Sequence, residues 1–229
     1  FTTTAGNSYA QQYNSTGTDI NTLLGNATFN ASSGNVTLLN AGASNSATNV
    51  SLTDGGNNYT LTKTGAANLI LGRTLVGGVI TLQAGTLQLN STGNLLPGGI
   101  VVNAGTLLAN AANGVLGAAD SPDVQVNGGT VDLRNATSAQ NVGFDFLGNA
   151  TLALRNNSST TFQVESIDIA SSVTQFTLNA NNAGANTGNT STLQSPITTH
   201  GDLQFNGTSS NSYLAAINAT STLTLGGDI

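Results

Sequence analysis

The chain has 229 residues, enough for one large β domain or two ordinary ones, with 38% hydrophobic and only 6% charged residues. That balance excludes a solvated random coil, because disordered chains combine low hydrophobicity with high charge. A net charge of −6 and only four, widely spaced basic residues exclude a nucleic-acid partner. The absence of cysteine excludes disulfides and thiolate metal sites, and the absence of an apolar run of about 18 residues excludes a transmembrane helix.

Residues 1–58 predict β-rich coils that are less regular than those that follow. Within them, TDINTLLG (Thr18 to Gly25) is compatible with one short helical turn. Residues 59–155 predict regular repeats, and residues 156–229 continue in short alternating runs such as TLALRN and TQFTLNA, so we expect one continuous solenoid. The inward candidates before the first full repeat are Phe29, Val36, Leu38, Val50, Leu52, Tyr59, Leu61, Leu69 and Leu71.

Three similar stretches mark the regular block, and each changes the parity of its apolar residues at a glycine. In the first, Ile80 and Leu82 precede Gly85, and Leu87 and Leu89 follow it on the opposite parity. Side chains alternate between faces along a strand, so the switch indicates a bulge, corner or turn that keeps both apolar sets inward. The stretches are ITLQAGTLQLN (80–90), IVVNAGTLLAN (100–110) and VQVNGGTVDLR (124–134).

Two architectures fit this pattern: a β-hairpin with Ala-Gly as its loop, and a solenoid with Ala-Gly at a corner between two faces of one coil. Two-residue hairpin loops favour Asn-Gly or a leading glycine, so Ala84 and Ala104 favour the corner. The glycine recurs after 20 and then 24 residues, at Gly85, Gly105 and Gly129, which is typical of a parallel β-coil. The sequence therefore predicts an all-β parallel β-helix of about ten coils, about 50 Å long. Its predicted stacked core is Ile80, Leu82, Leu87, Leu89, Ile100, Val102, Leu107, Val124, Val126, Val131 and Leu133.

The stretch LTKTGAANLIL (61–71) and the V-x-AGTL unit (102–107) resemble the autotransporter-associated β-strand repeat, found in passenger regions of bacterial autotransporters and other very long surface proteins. The strong match covers residues 59–133, and the flanks match in style. The resemblance implies a right-handed parallel β-helix that is exported, extracellular or displayed on a cell surface, and without catalytic residues. Because the chain starts at Phe1 and ends in TLTLGGDI, we expect a processed protein or a segment of a longer one.

The ionisable residues carry weak signals for chemistry. His200 is the only histidine; a Ser-His-Asp arrangement with Asp202 is formally open, but no nucleophile motif accompanies it. Asp145 and Asp168 alternate with apolar residues in FDF and IDI, so each is expected to face water. We predict no catalytic residue, no cofactor and no metal site; a cleft with convergent carboxylates, together with turnover of a polysaccharide, would reverse that interpretation.

Other acidic residues have simpler expected roles. Asp120 and Asp123 lie in a proline-containing turn, where Asp normally caps backbone amides. Asp132 is expected on the outward side of a strand, paired weakly with Arg134.

Fourteen Asn-x-Ser/Thr sequons make glycosylation a hypothesis, although outward positions two apart on a strand favour polar residues without any glycan. The candidate asparagines are Asn14, Asn26, Asn30, Asn35, Asn49, Asn58, Asn90, Asn135, Asn149, Asn156, Asn157, Asn189, Asn206 and Asn218.

The function expected from the sequence is a non-catalytic structural solenoid, a stiff stalk or scaffold of a surface protein or extracellular fibre. Its expected partners are other copies, assembled end to end, or neighbouring segments of the same long chain. The alternative is an adhesin module that binds a glycan or surface receptor through the loops GVLGAADSPD (114–123) and ANNAGANTGNTSTLQS (180–195). A polysaccharide-active enzyme is the third hypothesis.

Overall fold

The computed structural model describes residues 2–3, 9–13, 20–40, 49–110, 115–134, 138–155, 159–181, 190–202, 204–209, 214–217 and 223–225. Within these residues the regular elements are 26 short β-strands, and no helix is present. The first thirteen are β1 (Thr2–Thr3), β2 (Tyr9–Tyr13), β3 (Asn21–Thr22), β4 (Ala27–Ala31), β5 (Val36–Asn40), β6 (Val50–Thr53), β7 (Leu61–Thr64), β8 (Asn68–Leu71), β9 (Arg73–Leu75), β10 (Ile80–Leu82), β11 (Thr86–Leu89), β12 (Ile100–Val102) and β13 (Thr106–Ala109). The others are β14 (Val124–Val126), β15 (Gly129–Arg134), β16 (Ser138–Ala139), β17 (Phe144–Phe146), β18 (Ala150–Arg155), β19 (Thr160–Gln163), β20 (Ile167–Ile169), β21 (Gln175–Asn181), β22 (Thr190–Leu193), β23 (Ile197–Thr199), β24 (Gln204–Ser209), β25 (Leu214–Ile217) and β26 (Leu223–Leu225).

The strands stack in parallel, in sequence order, as the faces of a solenoid. Sheet A has ten strands in the order β1-β4-β7-β10-β12-β14-β17-β20-β23-β26, and sheet B has nine in the order β2-β5-β8-β11-β13-β15-β18-β21-β24. The third face carries two shorter sheets, β3-β6-β9 and β16-β19-β22-β25. A parallel β-helix with one sheet A strand per coil is therefore the fold, and the expected number of about ten coils is confirmed.

The repeated glycine lies at the corner between sheets A and B. Gly85, Gly105 and Gly129 have φ of 69°, 87° and 84°, and they stand above one another in consecutive coils. A Cβ atom on Gly105 would collide with the carbonyl oxygen of Gly85, and one on Gly129 with that of Gly105. The same oxygens accept the backbone amides of Thr106 and Thr130, both at 2.8 Å. The corner interpretation is confirmed, and the hairpin is wrong because all pairings are parallel.

The parity switch places both apolar sets in one core. Leu87 pairs with Leu107, Leu107 with Val131, and Val131 with Leu152, so these side chains form a file along the axis of sheet B. All eleven predicted core residues of the repeats are at most 1% exposed. Each coil thus buries its apolar side chains against the coils above and below it, as a repeat fold requires.

The later coils replace aliphatic side chains of this core by aromatic ones. Phe144 and Phe146 occupy the sheet A positions that Val124 and Val126 hold one coil earlier. The ring of Phe146 lies edge-on to that of Phe176 from sheet B, with 4.9 Å between the ring centroids. The two sheets therefore meet through aromatic contacts in this part of the solenoid.

Three details of the first coils differ from the sequence analysis. Residues 21–22 form strand β3, which pairs with β6, whereas the sequence was also compatible with one short helical turn. Val50 is only half-buried, because a bulge between Val50 and Leu52 in β6 turns Ser51 inward. Tyr59 is also half-buried and packs on the edge of the core.

Candidate functional site

Two carboxylates are neighbours on the outer face of sheet A. Asp145 is the middle residue of β17 and Asp168 the middle residue of β20, and the two are register partners. Their flanking residues Phe144, Phe146 and Ile167 are buried, so both aspartates point outward by strand alternation. Adjacent strands are about 4.8 Å apart, which holds the two carboxyl groups close together.

The only histidine joins this pair. His200 follows strand β23, and its Nε2 atom lies 2.7 Å from Oδ1 of Asp168. About half of each side chain is exposed, but the contacting Oδ1 atom of Asp168 is itself buried. Among the described contacts His200 pairs with Asp168, which is 32 residues earlier in the sequence, and none joins it to Asp202.

A third carboxylate borders the group. Asp123 precedes β14, and its Oδ1 accepts the backbone amide of Gly143 at 2.8 Å, which confirms the expected capping role and places the cap one coil further on. The groove beside these residues has a volume of about 500 Å³ and is lined by Asp145, Leu147, Asp168, Ala170, Ser171 and His200. We call it the Asp145–Asp168 groove.

The Asp145–Asp168 groove has an excess of negative charge. Burial raises the pKa of Asp145, and the nearby carboxylates of Asp123 and Asp168 raise it further. The protonated form of Asp145 is therefore favoured relative to an ordinary aspartic acid. A pair of carboxyl groups in different environments is one signature of acid–base chemistry, and such pairs also occur in purely structural sites.

Asp54 shows the opposite effect at a tight turn. Its carboxylate accepts the backbone amides of Gly56 at 2.9 Å, Tyr59 at 3.1 Å and Gly77 at 2.8 Å. Burial opposes ionisation, but these amide donors outweigh it and hold the pKa of Asp54 below its usual value. The Asp-Gly-Gly stretch is thus a turn whose carboxylate also ties down the next coil.

Asp145→Asn and Asp54→Asn are expected to change stability in opposite directions. The raised pKa of Asp145 means that the folded chain holds its proton more tightly, so its ionisation lowers stability above pH 4. Asp145→Asn should therefore raise the free energy of unfolding at pH 7, with the gain vanishing near pH 3. Asp54→Asn should lower the free energy of unfolding at pH 7, and the loss should shrink as the pH falls through the depressed pKa. Urea unfolding between pH 3 and pH 7 measures both, and a shared sign would contradict the assignment.

The sequons are spread over several environments. Asn26, Asn35 and Asn149 use Oδ1 to accept backbone amides of a neighbouring coil, at 3.0 Å from Thr60, 3.1 Å from Asn68 and 3.0 Å from Thr174. Asn90 is buried and its Oδ1 accepts from Gln88 and Asn110. Asn30 is half-buried, Asn49 and Asn58 are exposed, and Asn206 lies in β24. Asn14, Asn135, Asn156, Asn157, Asn189 and Asn218 lie outside the described residues. Glycosylation stays a prediction, and capping of neighbouring coils accounts for three of the asparagines.

The only lysine is inside the solenoid. Lys63 pairs in register with Phe29 and Leu82, shares their inward parity and is 0% exposed. Its Nζ atom donates to the carbonyl oxygens of Thr64 at 2.6 Å, Gly65 at 2.7 Å and Ala84 at 3.0 Å. The ammonium group therefore links the corners of two adjacent coils. Burial lowers the pKa of Lys63 from 10.5 to about 8.

Lys63 is expected to make the protein more stable at high pH. Between about pH 8 and pH 10.5 the unfolded chain holds the lysine proton and the folded chain releases it, so stability rises with pH across this window. The rise attributable to Lys63 is on the order of 3 kcal/mol. Lys63→Met removes it, so the difference in the free energy of unfolding between wild type and variant should change by that amount from pH 7 to pH 11. A pH-independent difference would show that the buried amine does not titrate in this range.

A second charged cluster lies on the outer face of sheet B. Asp132 accepts from Arg134 through Oδ2, at 3.0 Å to Nε and 2.8 Å to Nη2, which confirms the expected pair. Arg155, the register partner of Arg134 in the next coil, places its Nε 3.5 Å from the same oxygen. Although strand alternation places it on the outer face, Asp132 is only 1% exposed, and its register partners Leu108 and Ala153 are buried as well.

Sequence reasoning identified Asp145, Asp168 and His200 singly but not their grouping. The coil lengths between β17, β20 and β23 differ, so no fixed period aligns Asp145, Asp168 and His200. The equivalent central positions in FDF and IDI were a usable signal, and Lys63 shares its parity with buried Leu61.

The described residues contain neither a group of three or more His, Asp or Glu side chains that could hold a metal ion nor a helix long and apolar enough to cross a membrane. Comparison of the chain with protein-family models, with curated proteins and with solved structures found no match.

Proposed function

We propose that this chain is a non-catalytic structural solenoid, a stiff stalk within an exported surface protein or extracellular fibre. The observation that carries the proposal is sheet A, in which ten strands follow one another in parallel. Continuous backbone hydrogen bonding along the axis and a core shared by consecutive coils resist bending and stretching. The resemblance to surface-protein repeats supports export, and end-to-end assembly of copies stays a prediction.

Spin labels on two outward threonines of sheet A test the stiffness. Thr62 in β7 and Thr198 in β23 are separated by six strand spacings, about 29 Å. The chain contains no cysteine, so Thr62→Cys and Thr198→Cys give two unique labelling sites. Pulsed electron spin resonance should report a narrow distance distribution near this value, broadened only by the label linkers. A broad distribution extending well beyond it would contradict the stalk.

Removal of one coil provides the matched control. Deleting residues 80–99 brings Ile100 to the position of Ile80, its register partner, so the stack should close with one coil fewer. The distance between the labels should then shorten by about 5 Å while the distribution stays narrow. Deleting residues 80–89 removes β10 and β11 but keeps the rest of that coil, so residues 90–99 would enter the stack without their sheet A and sheet B strands, and folding should fail.

A second candidate function, hydrolysis of a polysaccharide, is favoured by one observation, the Asp145–Asp168 groove. Two carboxyl groups with unlike environments could serve as the acid and as the base or nucleophile of glycoside hydrolysis. Incubation with a panel of polysaccharides should release reducing ends from wild type and none from Asp145→Asn or Asp168→Asn. Absence of turnover by wild type across the panel would leave the stalk as the only supported function.

A further inference from the structure

Two of the four basic residues of the chain stand next to each other on sheet B. Arg134 ends β15 and Arg155 ends β18, and the two are register partners in adjacent coils. The coil spacing of about 4.8 Å sets the distance between their backbones. Their side chains are 30% and 27% exposed, so each is held against the surface but can still be reached from solvent.

The cluster of Asp132, Arg134 and Arg155 has one positive charge in excess. Both arginines approach the same oxygen, Oδ2 of Asp132, and only Arg134 makes a close two-nitrogen contact with it. Oδ1 of Asp132 and Nε of Arg155 are buried atoms without a hydrogen-bond partner among the described residues, so a ligand would contact Arg155 through its exposed terminal nitrogens. The guanidinium of Arg155 is therefore only weakly neutralised, in a protein whose net charge is −6.

We propose that Arg134 and Arg155 form a binding site for the carboxylate of an acidic sugar. A guanidinium group presents a planar set of donors that matches a carboxylate, and a second carboxylate would complete an alternating group of two cations and two anions. The single excess charge matches a monoanion better than a phosphate, which carries nearly two charges. Thr130 and Thr151, half-buried and outward on the same strands, offer hydroxyl groups to a polar ligand.

This site lies outside the loops expected to carry adhesion and outside the Asp145–Asp168 groove. The proposed site gives the stalk a ligand without changing its fold. If no ligand binds there, the stalk proposal is unaffected. A carboxylate bound here interacts with a rigid sheet surface, which lowers the ordering cost of binding.

Nuclear magnetic resonance of the arginine Nε–Hε groups tests the site directly. The chain has only three arginines, and Arg73 donates Nε to the carbonyl oxygen of Gly93 at 2.9 Å, so Arg73 is an internal control. Titration with glucuronate at constant ionic strength should shift the Arg134 and Arg155 signals in a saturable way and leave the Arg73 signal in place. Glucose and sodium chloride should shift none of them.

Two variants and two further ligands separate the outcomes. Arg155→Gln should abolish saturation while keeping the wild-type amide spectrum elsewhere, and Arg73→Gln should bind as wild type does. An oligouronate that binds more tightly than the monomer identifies a polysaccharide as the ligand, whereas equal response to acetate and glucuronate would overturn recognition of a sugar. Linear, non-saturating shifts of all three arginine signals would overturn the site itself.

Discussion

Replacing Gly105 with alanine is expected to lower the free energy of unfolding by about 3 to 5 kcal/mol. The φ of 87° places Gly105 in the left-handed region, which costs a residue with a Cβ atom about 1–2 kcal/mol. The new Cβ atom would also collide with the carbonyl oxygen of Gly85, a backbone atom whose hydrogen bond to Thr106 fixes it in place. Because the same corner recurs in the neighbouring coils, the strain cannot be relieved by moving one coil alone.

Two other glycines separate the contributions. Gly56 has a φ of 81° but no atom within 4 Å of an added Cβ, so Gly56→Ala should show the backbone cost alone. Gly25 has no positive φ and equally open space, so Gly25→Ala should change stability by less than about 0.5 kcal/mol. Urea unfolding followed by far-ultraviolet circular dichroism measures all three. If Gly105→Ala costs no more than Gly56→Ala, close stacking of the corner is not what requires glycine.

Truncating Phe146 to alanine is expected to cost about 3–5 kcal/mol. Phe146 is 0% exposed and its ring contacts Phe144, at 6.1 Å between centroids, and Phe176 at 4.9 Å. Its removal leaves a cavity between sheets A and B that the backbone ladders on either side prevent from closing. The melting temperature and the urea midpoint should both fall.

The adjacent residue supplies the control. Leu147 is 42% exposed and directly follows β17, so Leu147→Ala truncates an apolar side chain of the same segment outside the core. Its cost should stay below about 1 kcal/mol. Similar losses for the two variants would mean that the described core does not carry the stability of this part of the solenoid.

Local alternation was sufficient to predict the architecture. The parity switch across Gly85 and Gly105 predicted a corner, and the shared spacing placed Leu87 and Leu107 in one file, as the register confirms. These features depend on neighbouring residues in one strand or on coils of nearly equal length. They are therefore visible in a single sequence.

Contacts between coils of unequal length were beyond that reasoning. Asp168 meets His200 only because the turns and insertions between β20 and β23 bring the two strands into register. Asp132 is buried although alternation places it on the outer face, and its contact with Arg155, one coil away, is not visible in the sequence. Lys63 shares its parity with buried Leu61, but lysine is rarely buried, so parity alone does not predict an inward lysine.

Because Lys63 is enclosed, chemical modification of its amine can report local opening of the solenoid. No other side chain in the sequence carries an aliphatic amine, and this one is sealed from solvent in the closed form. An acylating reagent therefore modifies a side-chain amine only in molecules in which the solenoid has opened around β7, the third strand of sheet A, even transiently. The rate of that modification at a given reagent concentration therefore measures local opening of the solenoid without any engineered probe.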